Sequence, residues 1–271
     1  MYGVVMYALV TTAAELAEQL VAIETGGEDA VHQARTRVRR LRSILGVYRT
    51  AFDRDAAAAM RARLRRLGHR LGDVRDLEVR ARDLAGLAEE AGTDESPGAD
   101  RVAEATGALA ARAIERHERA LDALLRTLRS RGHRELLADL QQFVAAPPLS
   151  AAGATDPAKV ARKRLKKTVR RVVRSEGEAL EQRHEARKAA RRLRYAAEAV
   201  EEDLGPRAVR LAGAAETLQD ALGDHRDLIL LARHLRDNDP EGILGGLAAA
   251  CEARAADRLV DLDDAYDAIE W

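Results

Sequence analysis

The chain has 271 residues, of which 46% are hydrophobic, 33% charged and only 3% aromatic, enough apolar content for one large or two small cores. Its formal net charge of zero argues against a generic nucleic-acid binder, which is basic overall, and the lone Cys251 excludes an intrachain disulfide.

Ala, Leu, Arg and Glu dominate and are strong helix formers. Runs of β-branched residues are few, so the expected fold class is all-α. The opening stretch Met1 to Val10 is apolar but lacks a basic region and a small-residue cleavage site, so it does not read as a signal peptide. It is too short to cross a bilayer. Met6 is an alternative start, and a cytoplasmic chain without a membrane segment is the expectation. The apolar period predicts helices over 12–25, 28–50 and 53–91, then, after AGTDESPGAD (Ala91 to Asp100), over 100–130 and 133–145. AAPPLSAAGATDP (Ala145 to Pro157) is the better domain boundary. It divides the chain into a first unit, 1–146, a linker, 147–156, and a second unit, 157–271. Helices follow at 157–176, 178–203, 206–236 and, past DNDPEG, 241–269. Asp53, Asp156 and Asp239 suit caps, and Pro157 and Pro240 suit a first turn. Charge is segregated. Nine basic residues and no acid lie between Pro157 and Ser175, whereas Glu252 to Trp271 holds seven acids and two arginines.

An internal repeat carries most of the information. HQARTRVRRLR (His32 to Arg42) and HEARKAARRLR (His184 to Arg194) agree at seven of eleven positions, at an offset of 152. LGDVRDLEVRARDL (Leu71 to Leu84) and LGDHRDLILLARHL (Leu222 to Leu235) agree at nine of fourteen, at an offset of 151. Two motifs in one order at nearly one offset indicate a duplicated helical unit, each copy forming a bundle related to the other by a pseudo-two-fold.

At about 100° per residue, Val31, Ala34, Val38, Leu41, Leu45 and Tyr48 share one face of the first histidine helix. His32, Arg35, Arg39 and Arg42 form a stripe beside it. In the twin, Ala186, Ala190, Leu193 and Ala197 are the core face, and His184, Arg187, Arg191 and Arg194 the basic stripe. Arg40 and Arg192 point elsewhere and read as surface residues. Like charges three and four apart repel by a few tenths of a kcal/mol per pair, so such a stripe is tolerable when it faces an anion. The arginine fork suits phosphate. The helix bearing Lys159, Lys163, Lys166, Lys167, Arg170 and Arg174 adds point charges over a core face of Leu165, Val169 and Val172. For a single arginine-rich helix the ordinary reading is a solvated face paired with acids, and it is the duplication that favours a binding role.

The histidines admit a metal site, a phosphotransfer site or a pH-sensitive donor to a phosphate oxygen. His69, His117, His133, His225 and His234 show no HxxxH or HExxH spacing, and nearby arginines would repel a cation, so no metal is expected. The donor role is favoured, with a histidine satisfied at a helix start as the ordinary alternative. In the second motif Asp73 and Asp76 flank Arg75 as Asp224 and Asp227 flank Arg226; the aspartates are expected to orient arginines or cap helices. Gly72 and Gly223 are expected to mark a kink or a close approach. No Walker loop, nucleophile elbow or zinc-ligand spacing is present, so neither an enzyme nor a cofactor is expected.

The paired HQARTRVRRLR and LGDVRDL, with HEARKAARRLRY and LGDHRDL, resemble the CHAD domain, the conserved histidine α-helical domain, over nearly the whole chain. The resemblance implies two helical bundles related by a pseudo-two-fold around a basic central channel that binds inorganic polyphosphate. It further implies association with polyphosphate granules or with a CYTH-type or other polyphosphate-metabolising protein, here on another chain. By motif, His32, Arg35, Arg39 and Arg42 would line one wall, and His184, Arg187, Arg191 and Arg194 the other. Arg75, Arg226 and the helix with Lys163, Lys166, Lys167 and Arg170 follow by position and charge. Some family members carry a basic residue four after the histidine. Here Thr36 and Lys188 stand there, so the walls need not be equivalent. Polyphosphate has no bases, which suits a chain with few aromatics; single-strand binders use aromatic stacking as well as charge. Nucleic-acid binding is therefore the second reading and histidine phosphotransfer the third.

Overall fold

The computed structural model describes residues 2–151 and 157–271, and the described residues are all-α. The helices are α1 (Tyr2–Glu24), α2 (Ala30–Val47), α3 (Arg54–Gly92), α4 (Ala99–Leu128), α5 (Arg131–Ala145), α6 (Pro157–Val173), α7 (Leu180–Glu198), α8 (Glu201–Leu204), α9 (Pro206–Asp237), α10 (Gly245–Asp257) and α11 (Leu262–Asp267). No strand occurs among the described residues, only one antiparallel bridge between Phe52 and Leu149.

The histidine helices are α2 and α7, and the LGD motifs lie on the long α3 and α9. The two halves pair their helices in the same order. α2 packs on α1 and α3, and α3 on α4; α7 packs on α6 and α9, and α9 on α10. α2 also meets α7, which joins the halves. Ala34, Val38 and Leu41 of α2 and Ala186, Ala190 and Leu193 of α7 are fully buried. The small alanines allow close helix approach, and the apolar stripe of each helix finds its burial there. Tyr48 closes the join, its hydroxyl donating to the Ala196 carbonyl at 2.6 Å.

The apolar cores cross the duplication. The larger takes residues from α1, α2, α3, α4, α5, α6, α7, α9 and α11. The smaller gathers Leu84 and Leu87 of α3, Leu109 of α4, Leu231 and Leu235 of α9, Leu244 just ahead of α10, and Cys251 of α10. At 1.5 Å per residue α3 and α9 are about 58 and 48 Å long, enough to serve both. Each duplicated bundle thus shares its core with the other.

Several boundaries differ from the sequence expectation. α1 begins at Tyr2, not near residue 12, because Val5, Ala8 and Leu9 extend its buried face. α1 contains a stretch, Val5–Glu24, long and apolar enough to cross a membrane by length and composition, but Leu16, Leu20 and Ile23 lie in the core. The segment expected at 178–203 ends at Glu198 and resumes as α8, and Gly205 at φ 62° precedes Pro206 at the start of α9. The segment at 241–269 divides into α10 and α11 where the buried face of Ala248, Cys251 and Ala255 gives way to exposed Val260. Asp53 caps α3, accepting from the backbone N–H groups of Asp55 and Ala56. Asp239 accepts from Ile243 and Leu244 at 2.7 Å, ahead of α10, so Pro240 lies in the turn and not in a first helical turn. The cap expected at Asp156 lies outside the described residues, as does 152–156 of the expected linker. The preceding part is tied down: Asp53 N–H donates to Pro148 O at 2.6 Å and Ser150 N–H to Ala51 O at 3.0 Å.

Candidate functional site: a basic cleft between the histidine helices

The stripes of α2 and α7 open into one shared cleft of about 590 Å³, with α3 and α9 completing its walls. Ten of the sequence candidates line it: His32, Arg35, Arg39, Arg42, Arg75, His184, Arg187, Lys188, Arg191 and Arg226. His69, Arg80 and Arg82 of α3 join them. Ten arginine and lysine side chains therefore face three aspartates, Asp76, Asp83 and Asp227. A concave wall of predominantly positive charge focuses the field on an incoming anion.

The LGD motif supports the arginine of the histidine helix. Arg35 Nη1 donates to the Gly72 carbonyl at 3.3 Å and to Asp76 Oδ1 at 2.5 Å. A Cβ on Gly72 would sit 3.6 Å from the Arg35 guanidinium carbon. In the twin, Arg187 lies 3.9 Å from Asp227, and a Cβ on Gly223 would come within 3.1 Å of its Nη2. Each motif glycine is the bare backbone on which an arginine lies, and the second aspartate of each motif turns that arginine toward the cleft. Arg75 is held by Glu78 at 2.8 Å and Asp29 at 3.3 Å. Lys188 pairs with Glu185.

Arg39 and Arg191 form the deepest part of this arrangement and pair with no carboxylate among the described residues. Burial pulls Arg39 down to about 9, and repulsion from Arg35 and Arg191 adds to it. Burial likewise brings Arg191 to about 10, with Tyr195 opposing and Arg187, Arg192 and Arg35 reinforcing. Both remain cationic at neutral pH. His32 titrates below the ordinary imidazole range through burial and then Arg75, Asp29 opposing. His184 does so through burial, Arg226 and Lys188, and its Nδ1 is buried without a hydrogen-bond partner. No cluster of metal-ligating side chains occurs among the described residues.

Five candidates lie elsewhere. Arg194 is not in the cleft; it pairs with Glu198 and Glu216, each at 2.8 Å. Its twin Arg42 faces Arg61, Arg65 and Arg192, which with burial lower its basicity. The reason lies in the sequence: at the repeat offset, Arg65 and His69 of α3 correspond to Glu216 and Asp220 of α9. Lys163 and Lys166 border a different cleft, which shares no residue with the central one. Lys167 and Arg170 are exposed on α6 and line neither.

Arg192, expected as a surface residue, is half-buried within the field of Arg171 and Arg61. Arg61 is itself lowered by burial and by Arg49 and Arg65. The signal was present as RARLRRLGHRLGD (Arg61 to Asp73), whose basic run is lost in the twin AGAAETLQDALGD (Ala212 to Asp224). A search for what both copies share passes over what only one contains.

The CHAD domain family model matches residues 11–236. Two uncharacterized proteins of Mycobacterium tuberculosis, from strains CDC 1551 / Oshkosh and ATCC 25618 / H37Rv, are each 31% identical over 238 residues, covering 82% of this chain. The match spans 43% of each of those proteins, so the chain accounts for less than half their length. Among solved structures, PptA from Streptomyces chartreusis shares the fold at a TM-score of 0.73 and 22% identity, over 98% of this chain and 96% of that one.

Proposed function

The chain belongs to the CHAD domain family, and from that premise we propose that its central cleft binds inorganic polyphosphate. The observation that carries this reading is the pair Arg39 and Arg191: two half-buried guanidinium groups, without a carboxylate, facing one basic space from the two copies. A buried charge left unpaired is costly unless a counter-charge arrives. Polyphosphate supplies one along its whole length, and arginine forks match its oxygens bidentately.

The walls divide the work. Arg35 and Arg187 are set by Asp76 and Asp227, while Arg39, Arg42 and Arg191 offer unpaired forks. The role is binding, not turnover, in the cytoplasm. Placement on polyphosphate granules, or regulation of a CYTH-type or other polyphosphate-metabolising protein, is the use proposed for it.

Calorimetric titration with long-chain polyphosphate and with a charge-matched single-stranded oligonucleotide tests this, on the parent and on Arg39→Glu/Arg191→Glu, with circular dichroism reporting the fold. Tight polyphosphate binding that weakens steeply with salt through counterion release, and is lost in the variant, is the expected result. Equal affinity for the oligonucleotide would move nucleic acid ahead. A folded variant that binds as well as the parent would remove the cleft from the mechanism.

A further inference from the structure

We infer that the chain carries a second ligand site, built for a mononucleotide, between α6, α8, the start of α9 and Trp271. The cleft there has a volume of about 790 Å³, within the roughly 300–1,000 Å³ of small-molecule sites. Lys163 and Lys166 of α6 and Arg207 of α9 give it a cationic wall, and Leu204 and the Trp271 indole an apolar one. The Arg207 guanidinium carbon lies 5.9 Å over the indole centroid. That cation–π contact holds the fork in place.

Asp203 decides the ligand class. It borders this cleft part-exposed and outside any ion pair among the described residues, its Oδ2 turned into the protein without a hydrogen-bond partner and its Oδ1 the oxygen that a ligand can reach. A part-buried carboxylate without a partner is stabilised by a donor. Inorganic polyphosphate carries no N–H and, at neutral pH, almost no O–H along its chain. The acyl chains of lipid phosphates are not flat and do not stack on an indole, and sugar phosphates lack the apolar part. A nucleotide has all three elements: phosphates for the cations, a flat base for the apolar wall, and ribose hydroxyl or base amine donors for Asp203. The site also stands apart from the repeat. α1 occupies the place of α6 in the first half and has no lysine or arginine along its length. The basic wall is therefore not a by-product of the duplicated stripes.

Trp271 is the only tryptophan of the chain, so its fluorescence reports this cleft alone. ATP without divalent metal and inorganic tripolyphosphate would be titrated against the full chain at near-physiological salt. ATP is expected to change Trp271 emission saturably, with a Kd below about 1 mM, at least about tenfold tighter than tripolyphosphate, the size of effect expected from a hydrogen bond to a charged group. Asp203→Ala is expected to remove that preference by weakening ATP about tenfold. Arg39→Glu/Arg191→Glu should leave the ATP response unchanged. No saturable response to ATP, an equal response to tripolyphosphate, or loss of the response in the Arg39/Arg191 variant would each overturn the assignment, whatever the outcome of the polyphosphate titration.

Discussion

Replacing Arg39 and Arg191 by methionine should make the unliganded protein more stable while it loses its ligand. The two side chains sit at about 9 and about 10, well below the ordinary guanidinium range. At 1.36 kcal/mol per pH unit, retaining each charge at neutral pH costs on the order of 3–5 kcal/mol. The sign follows from linkage: a base whose folded pKa is lowered destabilises the fold at every pH below that value. The guanidinium groups reach a cleft open to water, and exchange of buried charge for apolar volume stabilises typically by about 1–4 kcal/mol. A gain of about 1–3 kcal/mol is therefore expected for the double variant. That raises Tm by about 3–8 °C for a domain of this size, read by differential scanning calorimetry without ligand. The same variant loses two charge-assisted contacts of about 1.5–3 kcal/mol each, an affinity loss of about 100-fold or more for polyphosphate. The logarithmic salt slope of binding should flatten by roughly 1.4, at about 0.7 per charge on a single-stranded polyanion. A variant that melts below the parent, or binds within about threefold of it, would refute the view that these arginines are unpaired for the sake of an anion.

Three further outcomes follow from the geometry. Gly72→Ala should leave polyphosphate affinity unchanged and add about 0.5–1 kcal/mol of stability, whereas Gly223→Ala must displace Arg187 and should weaken binding by roughly three- to tenfold; calorimetry on both separates the cradle from a simple kink. His32, His133, His184, His225 and His234 are all lowered by burial, so protonation favours the unfolded chain: stability is full above the ordinary imidazole pKa and falls as pH drops through and below about 6.5. Melting curves from pH 7.5 to 5.5 should show Tm declining, and bound polyphosphate, which favours the cationic imidazoles of His32 and His184, should blunt the decline. Tyr48→Phe removes the hydroxyl that joins α2 to the Ala196 carbonyl and should cost about 1–2 kcal/mol, measured by urea unfolding.

Much of the fold was legible in the chain itself. The helical period and the Gly- and Pro-bearing breaks place α2 to α7 and α9 within a few residues, since amphipathic periodicity records which face of each helix is buried. The offsets of 152 and 151 identify the two arginine stripes, because both copies retain charges that repel within a helix. What periodicity does not contain is the identity of the surface each face meets. Whether Arg42 and Arg194 remain twins depends on α3 presenting Arg65 to one and α9 presenting Glu216 to the other. The glycines of the LGD motifs read as a kink or a close approach, and what approaches them is decided only when Arg35 and Arg187 lie on them. The lysine-rich helix reads as part of the polyanion wall by charge alone, yet its Lys163 and Lys166 turn to a separate cleft beside Trp271. Charge and period are local properties, fixed along the chain. Neutralisation, burial and convergence are long-range ones, set only when α2 packs against α7 and brings the two copies around a common space.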